Sequence, residues 1–170
     1  MIPLQIKDKI YPLILLLKNI PGPRIKGRIV IIECDDWGGI RMPSKEVYQK
    51  LLNYNIPVDK GWFDKFDTMA DKKDLDQLFE VLLSVRDIKG NPVVMTPVVN
   101  VANPDFKKIR EADFTRYYYE SFLDTLRRYY PGSDTFKAWE EGLRMGIFIP
   151  EYHGREHFSV QHWLQKLREG

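Results

Sequence analysis

The stretch Ile29-Val30-Ile31-Ile32-Glu33-Cys34-Asp35-Asp36-Trp37-Gly38-Gly39 decides how the rest of the chain is read. Four β-branched residues in an unbroken run, Ile29 to Ile32, predict a strand buried on both faces, the kind found in parallel sheets. Asp35 and Asp36 then sit where that strand stops. In α/β folds ligands bind at the rim formed by strand carboxyl ends, because the sheet fixes where the loops start and leaves their course free. Strand alternation sends the two aspartate side chains in different directions, so one can bind a metal ion while the other faces a water.

Downstream, apolar strands alternate with amphipathic helices, without repeats or low-complexity tracts, which is the grammar of βα units. Ser44 is a natural N-cap for a helix carrying Val47, Tyr48, Leu51 and Leu52 on one face. The loop 56–70, rich in aromatics and aspartates, is placed to fold over the strand mouth. A helix over 72–87 buries Leu75, Leu78, Phe79 and Leu82. Val93 to Val99 is the second strand; Pro97 makes it an edge strand or stops its pairing near Thr96. The spacing of Tyr118, Phe122 and Leu126 predicts a helix over 115–128. Another, over 134–145, turns Phe136, Trp139 and Leu143 inward, with Gly146 just past its end. Ile147-Phe148-Ile149 is the third strand, and a last helix spans 160–168.

That third strand delivers His153-Gly154-Arg155-Glu156-His157 to the same kind of rim as the aspartate pair. Histidines four apart lie on one side of a helical turn and can face one ion. Asp36, His153 and His157 supply three ligands and leave a position for water; Asp35 is then the general base. A divalent ion in such a set acidifies water and polarises a carbonyl oxygen, so the reaction class is hydrolysis of an amide or ester. Zinc is the first candidate, other divalent transition metals the next. Plainer readings compete: an Asp-Asp pair can simply start a turn, and paired histidines can lie on a solvated face. His162 reads as helix surface or packing. Trp37 either contacts a ligand or fills space beneath the loop, and Arg41 and Arg155 either hold an anionic group or make surface ion pairs.

Composition narrows the setting. The chain has 170 residues, 44% hydrophobic and 29% charged, the profile of one globular domain. With 26 basic against 24 acidic residues, a net charge of +2, there is no electrostatic case for nucleic acid. The lone Cys34 excludes an internal disulfide and fits a reducing, cytoplasmic location. Ile10 to Leu17 is the most apolar stretch and is too short to span a bilayer. It runs into Lys18 and Pro21-Gly22-Pro23 without a small-residue cleavage pattern, so a short helix capping the sheet is preferred to a signal peptide. Peripheral membrane contact through residues 1–20 is the remaining alternative.

Around these motifs the chain resembles the NodB-type polysaccharide deacetylase superfamily of carbohydrate esterases. Glu33-Cys34-Asp35-Asp36 stands for the family's Thr-Phe-Asp-Asp motif, and His153-Gly154-Arg155-Glu156-His157 for its His-(Ser/Thr)-x-x-His motif, with glycine in place of the hydroxyl residue. The resemblance covers about residues 28 to 160. It implies Asp35 as base, Asp36, His153 and His157 as metal ligands, and an acetylated sugar or glycan as substrate; Trp37 and Arg155 are then candidate substrate contacts. It also implies a distorted (β/α)7 barrel, of which this chain carries the amino-terminal part: three parallel strands with flanking helices, not closed into a barrel. The family's later motifs, an arginine, a hydrophobic wall and a general-acid histidine, have no counterpart. Residues 1–27 are expected as an apolar helix and linker, 28–170 as the partial barrel. A catalytically incomplete fragment, or a non-catalytic carbohydrate-binding relative, is the alternative. Open sheet edges predict self-association.

Overall fold

The computed structural model describes residues 4–20, 22 and 26–169. The chain divides into two compact units, Met1–Ile31 and Ile32–Gly170. In the first, α1 (Leu4–Lys18) takes in the expected apolar run and continues through Pro12. At about 1.5 Å per residue it reaches about 22 Å, short of a hydrocarbon core of about 30 Å. Among the described residues no helix is long and apolar enough to cross a membrane. Of the break after it, Pro21 and Pro23 lie outside the described residues.

The second unit runs β1 (Ile32–Trp37), α2 (Lys45–Asn53), α3 (Trp62–Phe66), α4 (Lys72–Ser84), β2 (Met95–Asn100), β3 (Ala102–Pro104), α5 (Phe106–Glu111), β4 (Tyr119–Ser121), α6 (Phe122–Tyr129), α7 (Thr135–Arg144), β5 (Glu151–Gly154) and α8 (Val160–Glu169). Three parallel strands pair in the order β1-β2-β5, with helices packed on the sheet and, among the described residues, no closure into a barrel. The α/β class and the three-stranded parallel sheet are as the alternation of elements led one to expect. The separate antiparallel ribbon of β3 and β4 is not.

Where the strands begin differs from the reading of the apolar runs. Ile29, Val30 and Ile31 lie outside β1 and are exposed. β2 starts at Met95, opposite Ile32, so residues before Ile32 have no ladder to join. β1 is an edge strand, exposed through Asp35, and the strand buried on both faces is β2. Ile147 and Phe148 are fully buried, yet they make only an isolated bridge to Met95, and the third strand proper is Glu151–Gly154.

Pro97 sits fully buried in this central strand, not at an edge. Met95 makes its backbone bonds on the β5 side, donating to Ile147 O and accepting from Ile149 N, both at 2.9 Å. By alternation Pro97 faces the same side. Its missing donor therefore falls in the gap between the Met95–Phe148 bridge and the β2–β5 ladder, which resumes at Val98.

The helix expected from Thr115 begins instead at Phe122, because Tyr119, Glu120 and Ser121 pair with Pro104, Asn103 and Ala102. Ser121 caps it, its Oγ accepting from Asp124 N at 3.2 Å. Ser44 caps α2 as expected, and Asp71 and Asp74 form a reciprocal capping box on α4. In α7, Trp139 is buried as expected. Phe136 and Leu143 are not: the inward face is Thr135, Ala138, Trp139 and Gly142.

The core lies between the sheet and the α4–α7 pair. Phe148 is its hub, with the rings of Trp139, Trp37 and Phe79 edge-on at 5.1, 5.2 and 5.5 Å. Gly142 permits this approach, since a Cβ there would overlap the Phe79 ring and crowd Phe148. The packing anchors Trp37, and with it the end of β1 that carries the aspartates.

Candidate metal centre

The aspartate pair owes its geometry to a fault in the ladder. Cys34 pairs with Pro97 and Trp37 with Val99, so three steps along β1 answer two along β2. The extra residue makes a bulge, a device that re-aims side chains. Asp36 absorbs it in the left-handed region, φ 61°. Strict alternation is thereby broken, and Asp35 and Asp36 converge where they were expected to diverge. Asp35 Oδ1 lies 3.5 Å and Asp36 Oδ1 3.7 Å from His153 Nε2.

His153 lies on β5, and His157 follows in a bent loop rather than on a helical turn. The bend still brings the two rings to 4.7 Å. His157 Nδ1 is 2.9 Å from Asp36 Oδ1. One ligand atom from each of Asp36, His153 and His157 lies within 4.8 Å of the other two. Tetrahedral sites with metal–ligand bonds of about 2.0–2.1 Å draw such atoms to about 3.3 Å, a small contraction from here.

The donor set fits a cation for a further reason. His153 Nε2 is buried and has no hydrogen-bond partner. A nitrogen lone pair facing two carboxylate oxygens is repulsive unless a proton or a cation stands between them. These residues would hold a divalent ion through Asp36, His153 and His157, with Asp35, whose side chain is 60% exposed, at the margin.

Burial pushes the Asp36 carboxyl up, but the Asn100 hydrogen bond, the neighbouring His157 and the Arg41 guanidinium together outweigh it and hold the group below its usual value. Asn100 Nδ2 donates to Asp36 Oδ1 at 3.1 Å, and Arg41 Nη2 to Oδ2 at 2.7 Å. Arg41 also reaches Asp67 Oδ2 at 3.0 Å. Asp67 goes the other way: burial raises it, and Arg41 offsets this only in part.

Two buried asparagines, neither singled out in the sequence reading, complete the support. Asn103 Oδ1 accepts from Ile40 N at 2.9 Å, and its Nδ2 donates to Gly38 O at 2.8 Å and to Thr125 Oγ1 at 3.1 Å. This clamps the loop that leaves β1. Gly38, φ 81°, runs against the Asn100 carbonyl, where any Cβ would collide. The available signal was Asn100-Val101-Ala102-Asn103, amides among apolar residues at the end of a strand.

The other expected residues have definite places. Trp37 is half-buried in the aromatic core. The Arg155 guanidinium is held by both oxygens of Glu156 and lies 4.7 Å over the Tyr119 ring. His162 is exposed on α8. Of the loop 56–70, Asp67 to Ala70 line a cleft with Asp35 and Asp36, while Trp62, Phe63 and Phe66 remain exposed. A second cleft, of about 170 Å³, opens beside Asp36 and His157, walled by Phe106, Phe158 and Trp163.

The structure thus brings together Asp35, Asp36, His153 and His157, from opposite edges of one parallel sheet. Compared with protein-family models, with curated proteins and with solved structures, the chain finds no match in any of the three.

Proposed function

We propose that the chain acts as a metal-dependent hydrolase that removes N- or O-linked acetyl groups from a sugar or polysaccharide, its sheet corresponding to the first three strands of a NodB-like (β/α)7 barrel. The observation that carries this reading is the convergence of Asp36, His153 and His157, with Asp35 beside them. Zinc is the ion of choice for two imidazoles and a carboxylate. Such an ion supplies Lewis acidity to an acyl oxygen and makes water a better nucleophile at neutral pH. Asp36, His153 and His157 bind it. Asp35 takes the proton of the attacking water at its carboxylate, whose Oδ1 is steadied by Asp36 N at 3.0 Å. The aromatic-walled cleft beside His157 suits the apolar face of a sugar ring.

The open sheet favours a second reading. β1 and β5 are both edges, so among the described residues no strand faces the group from across a closed barrel. A carbohydrate-binding relative without catalysis accommodates that.

Metal analysis tests the first reading: one divalent ion per chain, lost in Asp36→Ala and His153→Ala. Unchanged occupancy in those variants would sink it. Acetate release from acetylated oligosaccharides, abolished by Asp35→Asn while the ion stays bound, separates catalysis from binding alone.

A further inference from the structure

Asn100 ends the central strand and is 3% exposed, yet only half of its amide is satisfied. Nδ2 donates to Asp36 Oδ1 at 3.1 Å, whereas the side-chain oxygen is buried without a partner. A buried acceptor left unpaired is costly, so the arrangement needs a cause. Turning the amide over would set its oxygen against the Asp36 carboxylate. The bond to Asp36 is therefore what fixes its orientation. The other Asp36 oxygen is taken by Arg41 at 2.7 Å. Across the strand pair, Asn100 faces Gly154. A Cβ on Gly154 would stand 3.8 Å from Asn100 Oδ1 and 3.5 Å from Glu156 O, ordinary contacts, with no left-handed backbone to forbid a side chain.

We propose that Asn100 is a positioning residue for the metal centre. Together with Arg41 it holds the Asp36 carboxylate so that Oδ1 alone is presented to His153 and His157, making Asp36 a one-oxygen ligand. Through Gly154 it also borders the strand that carries His153, so a donor placed there couples the two halves of the centre. This inference rests on the metal reading proposed above. It adds what that reading leaves open, namely the residue that aims the carboxylate.

Co2+ is the probe, because its visible spectrum reports ligand geometry and its affinity is measured without any substrate. Asn100→Leu keeps the branched heavy-atom skeleton, with bulkier ends, and removes the donor. It is expected to weaken Co2+ binding by about 10–100-fold, as loss of a partner behind a metal ligand does, and to shift the cobalt bands, while the far-UV spectrum of the metal-free protein stays unchanged. Gly154→Ser acts in the opposite direction: its hydroxyl donates to Asn100 Oδ1, locks the amide in the orientation that aims Asp36, and tightens binding by up to about fivefold, the ceiling set by one buried hydrogen bond. That gain must vanish in the Asn100→Leu background. An Asn100→Leu protein that binds Co2+ within threefold of the wild type, with the same bands, overturns the proposal. If Asn100→Leu fails to fold, Gly154→Ser decides, and unchanged affinity there overturns it too. A wild-type protein that takes up no Co2+ sinks the metal reading and this inference with it, whereas tight wild-type binding indifferent to Asn100 sinks this one alone.

Discussion

The two halves of the centre are held in unlike ways. Asp36 is fixed from several directions: a bulge in β1, the Asn100 amide, the Arg41 guanidinium, and a loop clamped by Asn103. The histidines arrive on an edge strand and its trailing loop. Their backbone is tied where Val101 N and Ala102 N donate to Gly154 O and Arg155 O at 3.0 and 2.9 Å. Their rings face Asp35, Asp36 and each other. The carboxylate half is thus organised by folding itself, and the imidazole half is the part that a cation would order. Substitutions in the two halves should consequently be felt under different conditions.

The largest expected effect belongs to the histidine side. Zinc at 100 times its dissociation constant should stabilise the wild type by about 2.7 kcal/mol, and His153→Ala should abolish that gain. Without the ion, His153→Ala should unfold within about 0.5 kcal/mol of the wild type, having lost no satisfied bond. Urea titrations with and without zinc measure both; a large loss in the metal-free protein would erase the contrast between the halves. On the carboxylate side, Asn103→Ala should cost about 1–3 kcal/mol with or without zinc, because Ile40 N, Gly38 O and Thr125 Oγ1 lose a buried partner together. A cost seen only in the presence of zinc would contradict a clamp built into the fold.

The same division runs through what could be read from the chain. Aspartate and histidine at the ends of apolar runs are few enough here that the ligand set stood out, and the three residues do converge. They meet at the rim of strand ends, but the local geometry at each side differs from what alternation and helical spacing predict. Asp35 and Asp36 both approach His153 because of a bulge, and a bulge depends on the register of the partner strand, which β1 does not encode. His153 and His157 meet through a bend, not a helical turn. An apolar run marks what can be buried without saying where a ladder begins, so Ile29 to Ile31 looked like a strand and are not one. Tyr118, Phe122 and Leu126 fit a helix spacing, but Tyr119 to Ser121 fit a strand equally well. The Ser121-x-x-Asp124 cap was the signal that set the start. Asn100 and Asn103 were the least legible, since an amide in a strand gains meaning only from what lies across it.

The smallest effect concerns the two carboxylates that share Arg41, and its sign follows from their opposite shifts. Asp36 is held below 3.8, so in the pH range just under 3.8 the unfolded chain binds more protons there, and stability rises with pH. Above 3.8 that contribution is complete, and it is lost only as pH falls through the folded value. Asp67 is raised above 3.8, so just above 3.8 the folded protein binds more protons and stability falls as pH rises. Asp67→Asn should remove this second slope and leave the first. Metal-free protein, unfolded by urea at closely spaced pH values on both sides of 3.8, should show the wild type losing stability relative to Asp67→Asn as pH climbs from there. Parallel curves would mean that Arg41 offsets the burial of Asp67 in full. The contrast between the two carboxylates would then rest on the Asn100 hydrogen bond and the His157 neighbour that only Asp36 has.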